Sequence, residues 1–178
     1  VVTQAGGGGV LLQGLDLNAL SVIQFAVDHL QVEHIIVVGH YGCGGVRAAL
    51  RGNRVGLVDN WLRHVSDVRL RHRKRLDHLD AQAQEDALIE MNVIEQVGHV
   101  ATSTVLQDAW ARRQKVAVHG WVYGLQDGLL KDLGVSMNRA ESVVETFRNA
   151  LKRYPRAATA GPQKMVPAIG IMPSTVEI

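Results

Sequence analysis

The segment His34-Ile35-Ile36-Val37-Val38-Gly39-His40-Tyr41-Gly42-Cys43-Gly44-Gly45-Val46 constrains the fold more than any other part of the chain. Its apolar run reads as a buried parallel strand, its glycines as a tight turn, and Val46 onward as the start of a helix. Open α/β sheets build their sites at the carboxyl ends of such strands, so His40 and Cys43 are expected there with side chains converging. An imidazole three residues from the only thiol of the chain, on a loop flexible enough to let backbone come close, suits a zinc ion. The same pattern accommodates a small buried cysteine with no metal at all.

The neighbouring sequence supports an α/β chain with a mainly parallel central sheet flanked by helices. Val1 to Thr3 reads as a short strand and Gly6 to Gly9 as a plain loop that matches no phosphate-binding pattern. Asp16 is placed to cap a helix with Leu20, Ile23, Val27 and Leu30 on one face. The strand, helix, strand order then makes a right-handed parallel unit. Helices are expected over residues 61–80 and 84–112, the second with Ile89, Val93, Val97 and Val100 inward. Val116 to Tyr123 alternates like a strand, and Asp127-Gly128 offers a turn before Leu129 to Leu133. Ala140, Val144, Phe147 and Leu151 mark a last helix. One domain is expected over residues 1–154, followed by an extended or disordered arm over 155–178.

Several function classes are disfavoured by composition. The net charge is +2, and the basic residues Arg63, Arg69, Arg71, Arg73, Lys74 and Arg75 lack interleaved aromatics and are flanked by Asp67, Asp77 and Asp80. A solvated helix face is expected, and no nucleic-acid partner. No apolar run reaches the roughly 18 residues that cross a membrane, so no membrane association is expected. With 47% hydrophobic residues in 178, the chain can bury one sizeable core, and a single cysteine points to a reducing cytoplasm. His29, His34, His64, His72, His78 and His99 are expected at the surface or at helix ends, and His119 as a hydrogen-bonded core residue.

The His40-Tyr41-Gly42-Cys43-Gly44-Gly45-Val46 motif, the Asp16-Leu17-Asn18-Ala19-Leu20-Ser21-Val22 helix before it, Asn60-Trp61-Leu62, Asn92-Val93-Ile94-Glu95-Gln96-Val97 and His119-Gly120-Trp121-Val122-Tyr123-Gly124 closely resemble the β-class carbonic anhydrases. The resemblance runs in order from about residue 15 to about residue 152. It implies zinc-dependent reversible hydration of carbon dioxide to bicarbonate, with assembly as a homodimer or tetramer. It also implies that His40 and Cys43 are two of three zinc ligands and that Gly42, Gly44 and Gly45 shape the site loop. Tyr123 matches a position that in some members helps hold an inhibitory bicarbonate. The family's first ligand lies in a Cys-x-Asp-x-Arg motif, which this sequence does not contain, and no catalytic residue can be assigned from what remains.

Two ligands leave a zinc ion under-coordinated, so weak metal binding and reduced activity are expected. A third ligand would have to come from elsewhere, with His119 or a carboxylate of a neighbouring chain as first candidates. The alternative is a catalytically silent homologue, or a truncated scaffold that serves assembly or partner binding.

Overall fold

The computed structural model describes residues 2–4 and 17–156. The glycine run, Asp16 and nearly all of the expected arm lie outside the described residues. Four strands form one sheet in the order β1 (Val2–Gln4), β2 (His34–His40), β3 (Ala117–Tyr123), β4 (Leu130–Met137). The first two pairings are parallel and the last is antiparallel, so the mainly parallel expectation holds. The β3–β4 connection has its turn at Gly128, whose φ of +71° is the left-handed value that favours glycine.

Six helices accompany the sheet among the described residues: α1 (Leu17–Gln24), α2 (Gly44–Arg51), α3 (Asp59–Leu76), α4 (Ala81–Thr102), α5 (Thr104–Ala111) and α6 (Val143–Leu151). Helix α4 lies across β2, β3 and β4 and is buried nearly all round, which makes it the spine of the core. Its start is fixed by Asp80, whose carboxylate accepts from the N–H groups of Gln82 at 3.1 Å and Ala83 at 2.9 Å. Against it, Gly120 of β3 brings the sheet close: a Cβ there would stand 2.6 Å from Val135 and 3.0 Å from Val97.

Several expectations are corrected. Leu30 is 62% exposed rather than inward, because residues Phe25–His29 form a turn of π-helix that rotates everything after it; Val27 faces the core as expected, and Ala26 joins it. The helix expected over 84–112 is two helices. Ser103 breaks it by adopting extended backbone and caps α5 with its own hydroxyl, a role for which serine competes well. At the start of α6 the inward residue is Val143 and Val144 is 58% exposed, because the helix is entered through a short 3₁₀ turn at Ala140–Ser142; Leu151 is buried as expected. His72 is buried rather than superficial, since Glu95 of α4 receives it at 2.6 Å.

The basic helix is indeed mostly solvated, but two of its arginines bond to other parts of the chain. Arg71 pairs with Glu95, and Arg75 donates to the carbonyl oxygen of Tyr154. No helix among the described residues is long and apolar enough to cross a membrane.

Candidate active site

Strand β2 alternates cleanly. Ile35 and Val37 face the core, whereas Ile36, Val38 and His40 lie on the opposite, half-exposed face. His40 is the last strand residue, at the carboxyl edge of the sheet. Its Nδ1 lies 3.2 Å from the Tyr41 carbonyl oxygen. A carbonyl can only accept, so Nδ1 carries the proton in this contact; in the neutral ring that leaves the Nε2 lone pair free, the arrangement that orients a histidine for metal ligation.

Beyond His40 the chain turns at Gly42, whose φ is +71°, and Cys43 becomes the N-cap residue of α2. Helix α2 starts at Gly44, two residues before Val46. Gly44 and Gly45 therefore form its first turn rather than the loop, and Gly42 alone among the three holds a conformation that needs glycine. Cys43 is buried among core residues, and its carbonyl accepts from the Arg47 N–H at 3.0 Å.

Tyr123 is directly opposite His40 in register, and its carbonyl accepts from the Tyr41 N–H at 3.0 Å. His40 and Tyr123 share an apolar groove of about 470 Å³ with Ile36, Val38, Trp121 and Leu130. His119 is elsewhere. Four residues back along β3, or roughly 13 Å at strand rise, it is held between Ser136 at 2.8 Å and His34 at 3.0 Å. That placement removes His119 as a partner of His40 and also shows it half-buried on the open face rather than in the core. Among the described residues, no three His, Cys, Asp or Glu side chains converge as a complete metal-ligating group.

The sequence reading missed what braces this loop. Tyr41 turns away from the groove to Glu90 of α4, a carboxylate 7% exposed that also receives the Tyr154 hydroxyl and Lys131 Nζ, the latter at 2.6 Å. Burial pushes Glu90 up, but the hydrogen bonds from Lys131, Tyr154 and Tyr41 outweigh it and hold the carboxyl below its usual range. Burial, with the hydrogen bond to Glu90 adding to it, pushes the Tyr41 hydroxyl up to about 12, so it remains a donor at neutral pH. One turn into α2, Arg47 forms a two-bonded pair with Glu85 at 2.8 and 2.9 Å. The one signal for these contacts was the presence of glutamates in an otherwise apolar helix, since a buried carboxylate requires a partner.

A family model described as carbonic anhydrase matches residues 2–130. The carbonic anhydrase of Emericella nidulans is 41% identical over 139 residues, covering 78% of this chain and 61% of that protein. That of Candida albicans is 32% identical over 135 residues, covering 72% and 46%. The chain thus spans about six tenths or less of the length of these relatives. Among solved structures, a Coccomyxa β-carbonic anhydrase in complex with acetazolamide superposes with a TM-score of 0.72 at 37% identity, covering 81% of this chain and 65% of that one. A tetrameric β-carbonic anhydrase from Sordaria macrospora gives 0.65 at 33% identity, covering 69% and 63%. The match takes in the greater part of the sequence and the strand, turn and helix that carry His40 and Cys43, and on it the chain belongs to the carbonic anhydrase family, in its β class.

Proposed function

We propose that this chain carries part of a zinc centre for the reversible hydration of carbon dioxide, with His40 Nε2 and Cys43 Sγ as ligands. The observation that carries the reading is the strand-end imidazole with its Nδ1 proton committed to Tyr41, three residues before a cysteine at a helix start. Zinc, when bound, supplies a water whose pKa is lowered to about 7. The residues of this chain do the positioning. Tyr41 and Glu90 fix the loop between the two ligands, Arg47 and Glu85 fix the first turns of α2, and Gly42 permits the turn. The apolar groove beside His40 suits an uncharged substrate such as carbon dioxide, and Tyr123 at its edge is a candidate contact for bicarbonate.

The donor types fit zinc, and among the described residues their number is short of a complete set. We therefore expect the 178-residue chain alone to hold zinc weakly and to turn over carbon dioxide far more slowly than an intact β-class enzyme. Stopped-flow hydration alongside elemental zinc analysis tests this. Cys43→Ser should abolish the remaining zinc. One tightly held zinc per chain at ordinary family turnover would overturn the two-ligand reading and require a substitute ligand outside the described residues. The second reading, a silent scaffold, is favoured by the incomplete ligand group. It predicts no zinc above background and no change on Cys43→Ser.

The half-exposed sheet face around Ile36, Val38 and Trp121 supports assembly as a homodimer or tetramer through that face. A single thiol suits a reducing compartment such as the cytoplasm.

A further inference from the structure

A second cavity, of about 390 Å³, opens where β2 and β3 begin and β4 ends. Because β2 runs seven residues from His34 to His40, this cavity is roughly 20 Å from the His40 end. Its walls bring together three segments distant in sequence: the entry to β2 with Glu33 and His34, the α5–β3 connection with Arg113 and Lys115, and the residues after β4 with Asn138 and Arg139. Three cationic residues, Arg113, Lys115 and Arg139, thus line the cavity together with one carboxylate, Glu33. Among the described residues, the ion pairs of the chain involve Arg47, Arg54, Arg71, His72, Arg112 and Lys131, and none of the three cations in this cavity.

The backbone adds a second observation. Arg113 has φ +62° just after the C-cap of α5, a position where glycine is the ordinary residue and an L side chain is strained. The conformation is locked. Arg113 N–H donates to Trp110 O at 2.9 Å, Gln114 N–H to Ala109 O at 2.9 Å, and the Gln114 side chain to Val27 O at 2.6 Å. The Trp110 indole N–H donates to Val116 O at 2.8 Å and ties the α5 wall to the β3 wall. Arg113 therefore stands in the cavity wall on a hydrogen-bonded turn whose backbone conformation glycine would adopt more readily.

We propose that this cavity is a binding site for a small phosphate monoester, with Arg113, Lys115 and Arg139 facing the phosphate oxygens and the Asn138 amide as an uncharged donor. Two guanidinium forks and one ammonium suit a doubly charged tetrahedral group, and the volume leaves room for a few further atoms of the ester. The site is separate from the His40 end and does not depend on zinc.

The test is calorimetric titration of the whole chain with inorganic phosphate, phenyl phosphate and bicarbonate at low salt. Phenyl phosphate is expected to bind with a Kd in the millimolar range or tighter and ahead of bicarbonate. Arg113→Gly and Arg139→Gln should each weaken it by about tenfold or more, whereas Lys74→Gln, an exposed cation on α3 outside the cavity, should leave it unchanged. Arg113→Gly carries its own control, because relief of the strained φ should keep or raise the melting temperature while binding falls. Absence of phenyl phosphate binding, or binding that survives both arginine substitutions, would overturn the proposal. Tighter binding of a short single-stranded oligonucleotide that the same substitutions abolish would overturn it in favour of a nucleic-acid surface. If Arg113→Gly proves to unfold the chain, Arg139→Gln alone decides.

Discussion

Replacing Glu90 by Gln tests whether the site loop is held by a charge or merely by a hydrogen-bonding group. The substitution keeps volume and an acceptor oxygen but turns the contacts from Tyr41 and Tyr154 from charge-assisted into neutral ones. Each such change is worth about 1 kcal/mol. Lys131, whose side chain is 57% exposed, adds only what a surface pair adds, below about 1 kcal/mol. The relieved burial of a charge offsets part of this, so the net loss expected for Glu90→Gln is about 1–2 kcal/mol, a fall in Tm of about 3–6 °C for a chain of this size. Glu90→Ala also leaves a void and two tyrosine hydroxyls short of an acceptor, and should cost about 3–4 kcal/mol.

The pH dependence separates charge from shape. The folded pKa of Glu90 is lowered, so its contribution is present above the ordinary carboxyl value of 4.5 and is lost as pH falls through the folded value. The Tyr41 and Lys131 values are raised, so their contributions are complete below 10.0 and 10.5 respectively and are lost as pH rises through the folded values, about 12 for Tyr41. Thermal melts of wild type and Glu90→Gln should therefore differ by a constant amount from about pH 5 to 9 and converge in acid. A gap that persists unchanged down to pH 3 would refute the charge argument.

Two further outcomes are expected. Gly120→Ala places a Cβ 2.6 Å from Val135 and 3.0 Å from Val97, which should cost about 1–3 kcal/mol of stability in denaturant melts; a neutral result would mean that β4 yields freely. Trp121→Glu on the half-exposed sheet face should shift the chain toward monomer in light scattering, and an unchanged mass would exclude this face from the interface.

The strand, turn and helix of the candidate site were legible because each rests on local rules. An apolar run followed by glycines has few alternatives, and Gly42 occupies the one position there that needs a left-handed backbone. Local exceptions were harder to read. The π-turn at Phe25–His29 exposes Leu30 with no residue that announces it, and the break at Ser103 follows from a capping preference that an apolar periodicity overrides on paper. The contacts that brace the loop were least legible, since Glu90 meets Tyr41, Lys131 and Tyr154 across 49, 41 and 64 residues of sequence. The basic cavity is similar, with Arg113 and Arg139 on the walls of one cavity only because the start of β3 pairs with the end of β4.

One long-range feature does follow from spacing once the burial of α4 is known. Glu85, Glu90 and Glu95 are all buried and lie five residues apart. At 3.6 residues per turn, five residues advance the helix by one turn and about 140° more. Three such carboxylates must therefore point to three different sides, and each must find its own donor because an unpaired buried charge is untenable. That is the observed arrangement. Glu85 receives Arg47 of α2, Glu95 receives Arg71 and His72 of α3, and Glu90 receives the site loop, β4 and the residue after α6 that carries the Tyr154 hydroxyl. A helix surrounded by core on every side thus fixes the position of each neighbour by charge as well as by packing, and the loop between His40 and Cys43 is one of those neighbours.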